Sequence, residues 1–240
     1  MSENGPLLRA AGLQVRYGIA QALFDVSLDV PAGAIVAVVG PNGAGKSTVA
    51  RALTGLVPLT GGSVTFDGQN IAGWAPHRIR RAGIVHLPEG RGVFPALTVA
   101  ENMRMAAATL PRNERKAAVE RGFEIFQPLT DRRRQAAGLL SGGEQQMLSL
   151  ARALIWSPRL VIADEMSLGL APKMVDLVFE SLQRARQTGL SIILIEQLVH
   201  RALTLADTCV VLQRGTSVWD GRAADAKDEV LRHYIGEGPI

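Results

Sequence analysis

Residues Ala34–Thr48 read AIVAVVGPNGAGKST: an unbroken apolar, β-branched run that passes straight into a glycine-rich turn ending in Lys-Ser-Thr. A strand with one wet face would alternate polar and apolar residues, so this run predicts a strand buried on both faces of a parallel sheet. The turn behind it fits Gly-x-x-x-x-Gly-Lys-Ser/Thr, and a preceding apolar strand is the context that gives this pattern meaning. Its glycines let the backbone wrap a phosphate, so that N–H groups and the next helix's N-terminus face the negative charge.

The chemistry follows residue by residue. Gly40, Pro41, Asn42, Gly43, Ala44 and Gly45 form the phosphate cradle. Lys46 is expected to reach the β- and γ-phosphates, Ser47 to ligate Mg²⁺, and Thr48 to assist at the α-phosphate. A second apolar strand, LVIADE (Leu160–Glu165), carries Asp164 to the carboxyl edge of the sheet, where it can hold the Mg²⁺ shell. Glu165 follows at once, placed to activate water, a poor nucleophile without a base. Between these halves lies LSGGEQQ (Leu140–Gln146). Ser141 is positioned to cap the next helix, and Gly142 and Gly143 permit close approach of backbone to a phosphate.

Further apolar strands are expected at Leu160–Ala163, Ser191–Ile195 and Cys209–Leu212. Helical patterns at Lys46–Gly55, Pro172–Thr188 and Val199–Ala206 alternate with them. Short β-rich segments at Leu8–Tyr17, Phe24–Val30 and Ser63–Asp67, flanked by glycines, predict an N-terminal antiparallel β lobe. From Thr98 to Ala137 no strand-like alternation remains, so a helical lobe is inserted there. The expected architecture is α/β: one domain over 7–238 with a P-loop NTPase core, a mainly parallel sheet and a helical subdomain over about 90–157.

Bulk properties remove other classes. A hydrophobic fraction of 47% against 20% charged residues suits a packed α/β protein and not a disordered one. No apolar run nears the roughly 18 residues of a membrane span. Cys209 is the sole cysteine, so no internal disulfide exists, and its apolar surroundings predict an inert core thiol. The net charge of +4 invites a nucleic-acid reading. However, neither Arg78–Arg81 nor Arg132–Arg134 carries interleaved aromatics for base stacking. They read as solvated or partner-facing surface, and no nucleic-acid partner is expected.

Taken together, GPNGAGKST, LSGGEQQ and LVIADE resemble the ATP-binding subunits of ABC transporters, from about Leu8 to near the C-terminus. That resemblance implies that Glu165 polarises the attacking water. It also implies that the signature residues Ser141, Gly142, Gly143, Glu144 and Gln145 act in trans, on ATP held by a second subunit. Tyr17, before Gly18, matches the aromatic that stacks on adenine. The chain departs from the general pattern at Glu89, an expected ATP-binding residue where the family has Gln, and at Gln197, an expected catalytic residue where it has a His that contacts the γ-phosphate. After Glu165 it reads MSLGLAP, with Met166 for a Pro and Ala171 for an Asp.

Three of these segments, VHLPEGRGVFPALTVAEN (Val85–Asn102), SLGLAP and Ile195-Glu196-Gln197, are similar to one branch, the LivF-like subunits of branched-chain amino acid importers. The branch implies ATP and Mg²⁺ and an ATPase dimer, homo- or heteromeric. It also implies two transmembrane permeases, an external binding protein and a place on the cytoplasmic face of the inner membrane. Glu89 and the helical lobe are then the surface facing the permeases. Urea and short-chain amide importers are the neighbouring reading, although they more often keep Gln where Glu89 stands. A DNA-repair or chromosome-type ATPase would need a coiled-coil or zinc insertion, and neither length nor cysteines allow it.

Overall fold

The structure is a computed structural model that describes residues 5–90 and 92–226. The part of the expected domain at 227–238 lies outside the described residues.

The chain opens with β1 (Leu8–Tyr17) and β2 (Ala20–Val30), an antiparallel hairpin, then enters β3 (Ile35–Val39) and α1 (Lys46–Leu53). β4 (Gly61–Phe66) and the short β5 (Gln69–Asn70) complete the antiparallel lobe on the far side of β1. After α2 (Pro76–Ala82) and β6 (Ile84–Leu87) come α3 (Val99–Ala107), α4 (Arg115–Ile125), α5 (Gln127–Thr130) and α6 (Gly142–Leu154). The strand-free stretch therefore runs on through the signature sequence into α6. β7 (Leu160–Asp164), α7 (Pro172–Gln187), β8 (Ser191–Ile195), α8 (Val199–Leu205), β9 (Thr208–Gln213) and β10 (Thr216–Arg222) finish the described fold.

One ten-stranded sheet results, in the order β5-β4-β1-β2-β10-β9-β3-β8-β7-β6. Its last five members, β9 to β6, are all parallel. β10, which the sequence did not suggest, pairs antiparallel with β9 and touches β2 through the single register pair Thr216–Asp25. It joins the antiparallel lobe to the parallel core.

The unbroken apolar runs serve two cores at once. Along β3, Ile35, Ala37 and Val39 face the core shared with the helical lobe, and Val36 and Val38 face the one shared with α1 and the β lobe. β8 divides in the same way, with Ile192 and Leu194 on one side and Ile193 and Ile195 on the other. Period-two geometry makes both faces apolar, which is why these strands show no alternation. Cys209 lies in the first core, and burial pushes its thiol pKa up to about 12, so it is protonated and inert at neutral pH.

In the helical lobe α3 starts with a capping box, Thr98 Oγ1 accepting from the Glu101 N–H at 3.2 Å and Glu101 accepting from the Thr98 N–H at 2.8 Å. Fully buried Asn102 accepts from the Phe94 N–H at 2.9 Å and donates to the carbonyls of Phe94, Leu97 and Thr98. It ties the loop that follows Glu89 to the lobe. Among the described residues no helix is long and apolar enough to cross a membrane.

Candidate functional site

Parallel alignment brings the carboxyl ends of β3, β7 and β8 to one edge, the expected place for a ligand in an open α/β sheet. At the end of β3 the chain turns through Gly40, where a Cβ would lie 2.3 Å from the carbonyl oxygen of Leu212. No other residue fits there without moving the backbone. Gly45, at φ 104°, occupies the N-cap of α1 in a left-handed conformation that L side chains avoid.

Lys46 opens α1 with its side chain buried. Its Nζ donates to the carbonyl of Gly40 at 2.9 Å and of Pro41 at 3.3 Å, and lies 3.8 Å from Glu165 Oε1. A buried ammonium is tolerable only when paired in this way. Ser47 Oγ donates to Asp164 Oδ1 at 3.2 Å. A hydroxyl and one carboxylate side by side are hard oxygen donors that suit Mg²⁺, which keeps several waters and takes substrate phosphates as its remaining ligands. Behind them, His86 Nε2 is 3.7 Å from the other oxygen of Asp164.

Glu165 follows Asp164 with φ 49°, in the left-handed region. For a residue with a side chain this costs about 1–3 kcal/mol and persists only where the surroundings impose it. Here the Glu165 N–H donates to the Ile195 carbonyl at 2.9 Å. Gln197 Nε2 donates to both carboxylate oxygens of Glu165, at 3.1 and 3.2 Å. Lys46, Ser47, Thr48, Asn42, Gly43, Gly45, Glu165 and Gln197 all line a single cavity of about 630 Å³.

Several expected residues stand apart from that cavity. Tyr17 is exposed at the β1–β2 turn and is not among the residues lining it. Phe24 and Arg214 do line it, unforeseen from the sequence. Arg214 sits with φ 49° at the β9–β10 turn, for which Arg-Gly was the available signal. Glu89 is exposed and lines an adjoining cavity of about 440 Å³ together with Gln145 and Gln146, and Glu165 is common to both cavities.

The signature loop lies outside the phosphate cavity. Exposed Ser141 caps α6 as expected, and does so within a full capping box: its Oγ accepts from the Glu144 N–H at 3.4 Å, and Glu144 Oε2 accepts from the Ser141 N–H at 2.8 Å. Gln145 Nε2 donates to the Ala137 carbonyl at 2.9 Å. Gly143 has a role within the chain: a Cβ there would fall 2.8 Å from Met174 Sδ, so glycine lets α6 pack on α7. Met166 is a core residue, 2% exposed.

One strongly placed residue escaped the sequence reading. Glu196 directly follows β8 and is 1% exposed. Its Oε1 accepts from the Ser167 N–H at 3.0 Å and its Oε2 from the Ser167 hydroxyl at 2.5 Å. Burial holds its carboxyl pKa above the ordinary value, and the Glu165 charge adds to this, while the bonds from Ser167 act in the opposite direction. An acid abutting the all-apolar run SIILI was the available signal.

The family described as ABC transporter matches residues 23–167. The high-affinity branched-chain amino acid transport ATP-binding protein BraG of Pseudomonas aeruginosa is 40% identical over 92% of this chain and 95% of its own length. The probable branched-chain amino acid transport ATP-binding protein LivF of Archaeoglobus fulgidus is 37% identical over 95% of each. In three dimensions the chain resembles the ADP conformation of MJ1267, an ATP-binding cassette of an ABC transporter, with a TM-score of 0.87 and 26% identity over 98% of this chain and all of that one. With a phosphate loop, an acidic strand end and a capped signature helix on one cassette fold, the chain belongs to the ABC transporter family, as an ATP-binding and ATP-hydrolysing subunit.

Proposed function

We propose that this ATPase powers uptake of branched-chain amino acids. It works on the cytoplasmic face of the inner membrane, in a dimer with a second ATPase subunit, beneath two permeases fed by an external binding protein. The observation that carries the catalytic part is the convergence of Lys46, Ser47, Glu165 and Gln197 on one cavity, with Asp164 hydrogen-bonded to Ser47 at its edge. The names of the relatives with 37–40% identity over most of the chain support the substrate class.

In this reading the loop from Gly40 to Gly45 wraps the phosphates and Lys46 exchanges its carbonyl contacts for β- and γ-phosphate oxygens. Ser47 and Asp164 would hold Mg²⁺, which would neutralise charge on the phosphate oxygens. Glu165 takes a proton from the attacking water as the water oxygen bonds to the γ-phosphorus and the bond to the β–γ bridging oxygen breaks, releasing ADP and phosphate. Tyr17 stacks on adenine from the β1–β2 turn. Ser141, with Gly142, Gly143, Glu144 and Gln145, closes over the partner's nucleotide; its exposure outside its own phosphate cavity supports action in trans.

Glu89 and the helical lobe face the permeases. Beside them runs a groove of about 440 Å³ that includes half-exposed Leu56, Phe94 and Met105, together with exposed Arg80 and partly buried Arg152. Burial lowers the pKa of both arginines, and neither is paired with a carboxylate among the described residues. Such a surface suits an amphipathic, acidic segment of a partner.

Reconstitution with the permeases and binding protein tests the reading. ATPase activity is expected to rise with leucine, isoleucine or valine. Stimulation by urea or a short-chain amide instead would move the system to the neighbouring branch, and a subunit that never associates with a membrane protein would overturn the transport assignment.

Gln197 gives a second test. Gln197 lines the cavity and donates to Glu165; as a donor that turns to the γ-phosphate when ATP binds, it is expected to contribute substantially, so Gln197→Ala should lower kcat by about 10²–10³-fold. Gln197→His should keep much of the rate and add a pH dependence near the imidazole pKa, roughly 6.5 when unperturbed. ATPase profiles of the assembled transporter from about pH 5.5 to 8.5 read both effects. A wild-type rate in Gln197→Ala would remove this side chain from the site.

A further inference from the structure

The segment Ile195–Gln197 contacts the catalytic turn Glu165–Ser167 at every residue. The carbonyl of Ile195 accepts from the Glu165 N–H, the Glu196 carboxylate accepts twice from Ser167, and the Gln197 amide donates to the Glu165 carboxylate. The Glu165 side chain thus leaves a left-handed backbone position with a hydrogen-bonded anchor on either side. The contacts of Glu196 lie in the interior, with Glu196 itself 1% exposed, whereas Gln197, on the other side of Glu165, is exposed. Ser167 is itself 6% exposed, so its N–H and hydroxyl would be left without partners if the carboxylate were removed.

We infer that Glu196 is a positioning residue for hydrolysis: through its paired bonds to Ser167 it fixes the turn that aims Glu165 at the attacking water. It is not among the residues that line the cavity holding Lys46, Ser47 and Glu165. Its effect is on the orientation of Glu165, and therefore on the chemical step and not on ATP capture, which rests on the phosphate loop and Lys46. A displacement of about 1 Å at a reacting group is enough to cost on the order of 10²-fold in rate. The inference rests on the reading of Glu165 as the base.

Steady-state ATPase of the assembled transporter tests it with Glu196→Ala, Glu196→Gln and Ser167→Ala. Glu196→Ala is expected to lower kcat by about 10- to 100-fold with the KM for ATP unchanged. Glu196→Gln keeps an oxygen to accept from the Ser167 N–H and offers an amide N–H to the Ser167 oxygen, so it should restore most of the rate. Ser167→Ala should lower kcat in the same sense, and adding it to Glu196→Ala should cost little more, because both act through one contact.

Thermal melts with and without ATP report whether each variant folds and binds. If Glu196→Ala fails to fold, the same split of kcat from KM in Ser167→Ala and the near-normal rate of Glu196→Gln decide the matter. A Glu196→Ala variant with a lower Tm but a normal kcat would overturn the inference, as would a Glu196→Gln variant as slow as the alanine one. Glu165→Gln serves as the control: if it hydrolyses ATP at the wild-type rate, it is the base assignment that has failed.

Discussion

Glu165→Gln is expected to bind ATP as the wild type does and to hydrolyse it about 10²–10⁴-fold more slowly, the span that a positioned general base supplies. The substitution is nearly isosteric, and the contacts that hold the turn survive it: the residue 165 N–H to the Ile195 carbonyl, and Ser167 to Glu196. What is lost is the proton acceptor. Lys46 also loses an anionic neighbour at 3.8 Å and is left to the Gly40 and Pro41 carbonyls or to phosphate. Closure without hydrolysis should then accumulate as an ATP-bound dimer with the partner ATPase, visible as a shift in size-exclusion chromatography with ATP and Mg²⁺. Persistent monomer in the presence of the partner, or undiminished turnover, would count against Glu165 as the base.

Ser141→Arg is expected to abolish turnover of the nucleotide that this loop covers while leaving ATP affinity of the isolated subunit unchanged. Ser141 is exposed and does not line the cavity that holds Lys46, so a long cation there blocks apposition and not first binding. The change also removes the Ser141 side of the α6 capping box, at a cost of about 0.5–2 kcal/mol. That is small against the roughly 5–15 kcal/mol of an ordinary domain, so the subunit should remain folded. Isothermal titration of the isolated subunit with nucleotide separates the two effects. Loss of binding there would mean that the loop serves its own chain's ATP.

The parts of this molecule that a sequence displays are those governed by short-range rules. β8 was expected at Ser191–Ile195 and lies there, because a strand buried on both faces is written as one apolar run. α6 begins behind Ser141 because the cap and its Glu144 partner are three residues apart in the chain. The phosphate loop is likewise a local motif, and Asn42, Gly43 and Gly45 to Thr48 line the cavity.

What stayed hidden depends on pairing across long separations. β10 has few apolar residues and is a strand only because β9 lies beside it. The contact of Glu196 with Ser167 spans 29 residues, and a lone acid at a strand end gives no hint of where its partner lies. Phe24 and Arg214 reach the nucleotide cavity because the β1–β2 hairpin and the β9–β10 turn meet over α1, an arrangement no local pattern encodes. Gly143 shows the converse: its smallness was legible, but Met174, the neighbour that requires it within the chain, was not.

The central claim is that one ATP is held by Lys46 of one subunit and completed by the signature serine of another. A structure of the Glu165→Gln transporter with ATP and Mg²⁺ tests it most directly. The account predicts a γ-phosphate in contact with Lys46 on one side and, on the other, with the signature serine of the opposing ATPase subunit. Ser141 touching the nucleotide of its own chain, or nucleotides enclosed with no signature loop against them, would contradict it.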